Sequence, residues 1–366
     1  MEGGISGEIR IVPASLEQDS DIALWMQFAT TENWQISQVN FDVAEQSLEL
    51  KLPLLETPSN GKAHKPCLAV LVTIEVKQGV QLDHWKIDTA NLDIIVEEGF
   101  SNRASQEHNT EDGGPQALRT ANRTSINAAK GNLNVAYWSS RETRVELTSG
   151  SITGTSALKD LLYLKTTSGS ISATVDPKEA DPIRPVPADF QALTTSGTVT
   201  IHFPTSGPVP NRDYKTCVET KSASISGSYI LGLSSSFHTK SGTTSLSILP
   251  YDPASYSSFL YSESTSGTLN LEVLPPHSSS GEDKSLSHLR WFHKSTSGTV
   301  NLVYPDDWEG SIDAETTSGT INLEGEDVHV GEVSGLLRRV IAERGDGDSR
   351  LDLRTASGDV NARIGR

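Results

Sequence analysis

Four asparagines, Asn270, Asn301, Asn322 and Asn361, each stand three residues after a glycine in a recurring phrase. A row of amides at one register offers paired donors and acceptors to a polar ligand; the same row also suits a solvent-facing polar ladder. Carboxylates gather in the C-terminal part as Asp306, Asp307, Glu324, Glu326, Asp327, Asp346 and Asp348. Glycoside hydrolysis needs two carboxyl groups flanking one bond, and these acids share no repeating register that would single out a pair. Gly345-Asp346-Gly347-Asp348 lacks the further ligands, at the right spacing, of a calcium loop and reads as a hairpin turn. Arg344-Gly345-Asp346 is also a tripeptide read by some cell-adhesion receptors, a match that three residues produce by chance. The histidines, His288 and His293 among them, are scattered, with no cysteine or acid at metal-ligand spacing. There is no nucleophile elbow, phosphate loop or dinucleotide fingerprint, and the abundant serines have no evident base beside them. Trp138, Trp291 and Trp308 would stack on sugars if exposed, although core packing is the ordinary role of so large a ring. No catalytic, metal-binding or cofactor-binding residue is assigned.

The elements that carry these side chains follow from one repeated phrase. Thr-x-Ser-Gly recurs as Thr166-Thr-Ser168-Gly169, Thr194-Thr-Ser196-Gly197, Thr239-Lys-Ser241-Gly242, Thr316-Thr-Ser318-Gly319 and Thr355-Ala-Ser357-Gly358. Ser264-Thr-Ser266-Gly267 and Ser295-Thr-Ser297-Gly298 replace the threonine by serine, and Thr148-Ser149-Gly150 is a shortened form. Gly131 opens the series. After each glycine, apolar residues occupy the second and fourth positions, as in Ile171/Ala173 and Val300/Leu302, which is the period of a strand with one buried face. Before it they occupy the fifth and seventh, as in Leu164/Leu162 and Leu353/Leu351. The inward parity therefore slips by one at Ser-Gly. A straight strand cannot do that without exposing its apolar set, whereas a corner can, and glycine tolerates the positive φ a corner asks for. The nine glycines Gly131, Gly150, Gly169, Gly197, Gly242, Gly267, Gly298, Gly319 and Gly358 are read as structural corners. The parity rule places the Thr at −3 and the Ser at −1 inward, as a hydroxyl ladder that closes backbone groups at the turn.

A unit repeated this often predicts an all-β, single-chain β-solenoid, or β-helix. On the order of ten rungs at about 4.8 Å each would make a rod roughly 45 Å long. Residues 119–366 form the repeat, with insertion loops at 176–189, 204–216 and 274–290. The segment 222–233 reads as a degenerate unit around Gly227, and 339–344 as an extra rung. Residues 1–100 are a strand-rich N-terminal cap with an early rung that has Asn91 in the glycine position, and 101–118 is a polar loop. Only 334–343 suggests a helix.

The chain has 366 residues and a net charge of −17. That balance opposes binding to nucleic acid, since no basic stripe is present to release counterions from phosphates. No apolar run reaches the length of a membrane-spanning helix, and the start has no secretory leader, so a chain beginning at Met1 is expected in the cytoplasm. Asn122-Arg-Thr124 is a glycosylation sequon that matters in a secreted protein. Cys67 and Cys217 give no metal spacing, and one bridge between them is open. Low charge along the repeated strands leaves end-to-end association open.

The serial Thr-Ser-Gly-[Thr/Ser]-[Ile/Val/Leu]-x-[Leu/Ile] units from Thr148 to Ala362, with the lead-in from Thr73 to Ile94, resemble the adhesin domain family of bacteria and fungi, a domain of unknown function. The resemblance covers about three quarters of the chain. It implies a single-chain β-helix with a surface or adhesive role and a glycan or cell-surface protein as partner, and it transfers no catalytic residues. The expected function is thus a non-catalytic scaffold. The alternatives are a carbohydrate-active or carbohydrate-binding β-helix and a self-assembling structural solenoid.

Overall fold

The computed structural model describes residues 5–30, 40–44, 47–51, 68–77, 80–98, 119–251, 257–277, 286, 288–334 and 338–365. Every regular element among them is a strand. The N-terminal part contains β1 (Ile5–Pro13), β2 (Ile22–Thr30), a separate hairpin of β3 (Asn40–Ala44) and β4 (Ser47–Lys51), then β5 (Leu68–Val76), β6 (Gln81–Thr89) and β7 (Asp93–Val96). The repeat continues through β8 (Arg119–Lys130), β9 (Leu133–Ser149), β10 (Ile152–Leu158), β11 (Leu161–Thr166), β12 (Ile171–Pro177), β13 (Ala188–Thr194) and β14 (Val199–His202). Next come β15 (Tyr214–Thr220), β16 (Ile225–Leu231), β17 (Ser234–Ser241), β18 (Thr244–Pro250), β19 (Phe259–Ser266), β20 (Leu269–Val273), β21 (Arg290–Ser297) and β22 (Val300–Tyr304). The chain ends with β23 (Gly310–Ser318), β24 (Ile321–Gly325), β25 (His329–Ser334), β26 (Arg338–Arg344), β27 (Ser349–Ser357) and β28 (Val360–Ile364).

The protein is a β-solenoid of two parallel sheets. Each rung lays down a strand in a leading sheet, turns at Ser-Gly, and lays down a strand in a trailing sheet. In β11 the buried residues are Leu162, Leu164 and Thr166, and in β12 they are Ile171, Ala173 and Val175, so the parity changes across Ser168-Gly169 as the sequence requires. The two inner faces meet in one continuous core. Phe190 of the leading sheet lies 5.3 Å from Phe203 at the end of the trailing strand, and Trp291 lies 4.8 Å from Tyr304. β9 is long because it turns the opposite corner without a loop: its first half pairs with β7 and β10, its second with β8 and β11. At three other rungs that second turn carries the insertions, 178–187, 203–213 and 274–289. Arg212 ties the first two together, its guanidinium donating to the carbonyls of Lys178 and Val186 at 2.8 and 2.6 Å.

Close stacking explains the corner glycines more generally than φ does. At the nine positions a Cβ would fall between 1.7 and 2.4 Å from a backbone oxygen of the rung beneath, usually that of the corresponding glycine. Gly150 and Gly267 also have positive φ, 157° and 145°, but Gly169, Gly197, Gly298, Gly319 and Gly358 lie outside that region. Two corners were misplaced in the sequence reading. Gly227 pairs with Ile201 and Leu246 inside β16, and its rung turns at Ala223, two residues before Ile225. In the first corner Leu92, not Asn91, takes the glycine position, since Ile94 pairs with Leu133. With these two and the nine glycines, eleven corners stack, roughly 50 Å of rod at strand spacing.

The hydroxyl ladder is half as expected. The residue at −3 is buried: Thr166, Thr194, Thr220 and Thr239 donate to the corner carbonyl of the rung beneath at 2.8, 3.0, 3.4 and 3.0 Å, the acceptors being Gly150, Gly169, Gly197 and Ala223. The Ser at −1 is exposed throughout. The chain has begun to turn by −2, so the alternation no longer holds there. What that serine contributes is its carbonyl, which accepts from the corner amides of Gly242, Gly267 and Gly298.

Both ends depart from simple stacking. β1 lies between β5 and β7, parallel to both, although β7 follows β5 in the chain. The last rung, β27–β28, lies between β21–β22 and β23–β24. Antiparallel strands then cover one of the two sheets at each end, β2 against β5 at one end, and β26 against β23 with β25 beyond it at the other. The segment 338–344 is therefore an antiparallel cap and not a further rung, and the described residues of 334–343 are strand, not helix. Nor is Gly345–Asp348 a hairpin turn. β26 and β27 flank β23, so these four residues cross over its start, packed on Glu309. Cys217 is free on the outer face of β15, while Cys67 and the polar loop 101–118 lie outside the described residues.

Candidate ligand-binding groove

Outward positions of the leading sheet fall at −8, −6 and −4 from each corner, and stacking turns each into a column. Late in the stack the −6 column is aromatic: His238 at −4 approaches Tyr261 at 5.0 Å, and Tyr261 stacks on Phe292 at 5.4 Å with the rings 5° from parallel. Phe259, 46% exposed, adds a third ring beside Tyr261. The next rung in space is not the next in sequence. Because β27 is inserted beside β21, Phe292 pairs with Asp352, Arg290 with Arg350 and Lys294 with Arg354. The aromatic column stops there, and the ring face of Phe292 turned away from Tyr261 looks onto a shorter, charged rung. A groove of about 670 Å³ opens along Phe259, Tyr261, Phe292, Arg290, Lys294, Arg350, Asp352 and Arg354.

The charges in this groove are ordered by mutual contact. Glu263 receives Lys294 at 2.9 Å and the Tyr261 hydroxyl at 2.8 Å, and these bonds lower its pKa. Burial, together with that bond to Glu263, pushes the Tyr261 phenol up to about 12. Asp313 is held well below the usual carboxylate range by Arg339 and Arg354, at 2.8 and 2.7 Å. Arg350 donates to both oxygens of Asp352, at 2.9 and 3.2 Å. Arg290 has no ion pair or side-chain hydrogen bond among the described residues, and it is exposed. The lining thus carries four cations against one carboxylate, on a chain of net charge −17.

Asp313 and Asp352 are opposite each other in the register, and two neighbouring carboxyl groups are what a glycosidase would use. Such an enzyme needs one carboxyl with a raised pKa, and Asp313 is shifted the other way. Ser262 and His293 form the other chemically suggestive pair, 2.7 Å apart, with His293 Nε2 3.1 Å from the Tyr304 hydroxyl. Both are sealed in the core, His293 at 0% and Ser262 at 1% exposure, and burial drives the imidazole down to about 3. A neutral imidazole with one donor and one acceptor suits that role as a core hydrogen-bond bridge.

The residues noted in the sequence take other places. Trp138, Trp291 and Trp308 are buried, so the exposed rings are the ones on outward parity. Asn270, Asn301 and Asn361 form an amide ladder on the trailing sheet, with 2.9 Å bonds from Asn301 to Asn270 and from Asn361 to Asn301, while Asn322 turns to Glu324. Arg344 donates to the carbonyls of Asp306, Trp308 and Glu326, which ties the 305–309 turn to the 326–328 turn and occupies the cation of the Arg-Gly-Asp tripeptide. Within the sequon, Thr124 is buried and accepts from the Trp138 indole at 2.8 Å. His288 lies 4.0 Å from Asp348. Among the described residues no group of three His, Cys, Asp or Glu side chains gathers as a metal site, and no helix is long and apolar enough to cross a membrane. A space of about 10 Å³ lies between the sheets beside Trp138.

The groove residues lie on outward parity in the sequence, at Phe259, Tyr261 and Phe292, but the charged rung beside them, Arg350 to Arg354, needed the rung order. The fold and this surface define a two-sheet parallel β-solenoid with an open groove on one outer face. No protein-family model, curated protein or solved structure matches the chain.

Proposed function

We propose that this protein is a non-catalytic β-solenoid scaffold with an adhesin-like role, which holds a partner on the outer face of its leading sheet. The carrying observation is the groove at the end of the Tyr261–Phe292 stack. It combines exposed aromatic surface, a cation without a partner among the described residues and a positive lining on an acidic molecule. Aromatic rings and arginine in a concavity are the side chains that concentrate binding energy. Parallel stacking gives them a rigid base, as binding surfaces of solenoids commonly have. Display at a cell surface is the setting that the Thr-Ser-Gly resemblance implies, with a glycan or a surface protein as partner.

The test compares the wild-type chain with a Tyr261→Ala/Phe292→Ala double variant in binding to glycan arrays and intact cells. Both residues point outward, so the variant is expected to keep its circular dichroism and unfolding midpoint while losing binding at least tenfold. Equal binding by the two proteins would remove the groove from the function.

A further inference from the structure

We infer that the groove takes an acidic glycan, a chain of pyranose rings bearing carboxylates, with one ring against Phe292 and its carboxylate on Arg290. This rests on the groove being the partner-binding face and names the class of partner.

Three observations support it. First, one face of Phe292 is covered by Tyr261 in parallel, and register places the short Asp352 on the other side. That leaves a ring face bordering the groove, and the negative face of an aromatic ring attracts the C–H-rich face of a pyranose. Second, Arg290 stands two residues before Phe292 on the same outward face, with no charge partner among the described residues. A guanidinium matches a carboxylate with two parallel donors. Arg350 and Arg354, by contrast, are engaged by Asp352 and Asp313, and Lys294 by Glu263, so these cations shape the wall. Third, the surrounding molecule is strongly acidic. Its field opposes a long polyanion that runs beyond the groove, nucleic acid included. A short acidic oligosaccharide meets that field only locally, at the groove, where four cations face one carboxylate.

The probes are oligogalacturonate, its methyl ester, and single-stranded oligonucleotides, titrated calorimetrically into the full chain at low and high salt. The expected result is binding of oligogalacturonate that weakens about tenfold or more on methyl esterification, in Arg290→Gln and in Phe292→Ala, and that also falls in high salt. Arg350→Gln serves as a charge control and is expected to change affinity less than Arg290→Gln does. Equal affinity for the acid and its ester, with loss in Phe292→Ala, would overturn the acidic class and keep the groove as a binding face. Oligonucleotide binding with the same loss would do likewise. Oligogalacturonate binding unchanged in both variants would overturn the site. No binding of any probe would overturn the proposed class, and the cell-binding comparison would then decide separately whether the groove is used.

Discussion

His293 shows how a repeated position can absorb an unusual residue. It stands where other rungs carry an apolar side chain facing the core, Leu353 or Ala314, and both its nitrogens are met, by Ser262 and Tyr304. Its folded pKa of about 3 lies below the ordinary histidine value. As pH falls below about 6.5, the unfolded chain takes up a proton that the native state refuses. Stability is then lost by about 1.4 kcal/mol per pH unit until the folded pKa is approached. A His293→Gln variant keeps a donor and an acceptor but does not titrate. Urea midpoints of wild type and variant, measured from pH 7 to pH 4, are expected to shift in the variant's favour as the pH drops. A difference independent of pH would remove His293 as the cause. The same scale shows what was legible: Thr166 and its counterparts were readable as inward residues from parity, whereas the Ser262–His293 pair was not, because 31 residues separate its members.

At the scale of elements, the corners were readable and their stacking order was not. Thr-x-Ser-Gly marks a change of face wherever it occurs, but Ala223 and Leu92 perform the same turn without the glycine. The intercalated rung β27–β28 joins β21–β22 to β23–β24 by backbone bonds on both edges. A chain ending at Asp348 would leave two sets of parallel edges and apolar faces, around Leu302 and Ile312, without their partner. Such a truncation is expected to broaden or split the unfolding transition and to cause aggregation. Hydrogen exchange on the intact protein should also find β27 and β28 among the most protected strands, although they end the chain. Early exchange there, as in a fraying terminus, would contradict the intercalated order.

At the scale of the whole molecule, the open ends of a parallel stack are the natural sites for one copy to add to another. Here β2 covers the first trailing-sheet strand in antiparallel sense, and β26 and β25 cover the last leading-sheet strand. A second copy cannot continue the parallel ladder through those strands, and the net charge of −17 adds long-range repulsion. Sedimentation over a wide concentration range at physiological salt is expected to show a monomer. Filaments or concentration-dependent oligomers would instead favour the self-assembling solenoid.

By itself the sequence determined the rung: strand, corner, strand, with the buried face switching at Ser-Gly. That information is local, carried by side-chain parity over about fifteen residues, and each repeat states it again. The order of rungs was decided by tertiary structure, since every rung offers the same backbone edge and nearly the same inward pattern to any neighbour. Placing Arg350 and Arg354, rather than Ser311 and Glu315, beside Arg290 and Lys294 gave the groove its cationic wall. The repeat could specify the aromatic face, but only the inserted last rung set its charged edge.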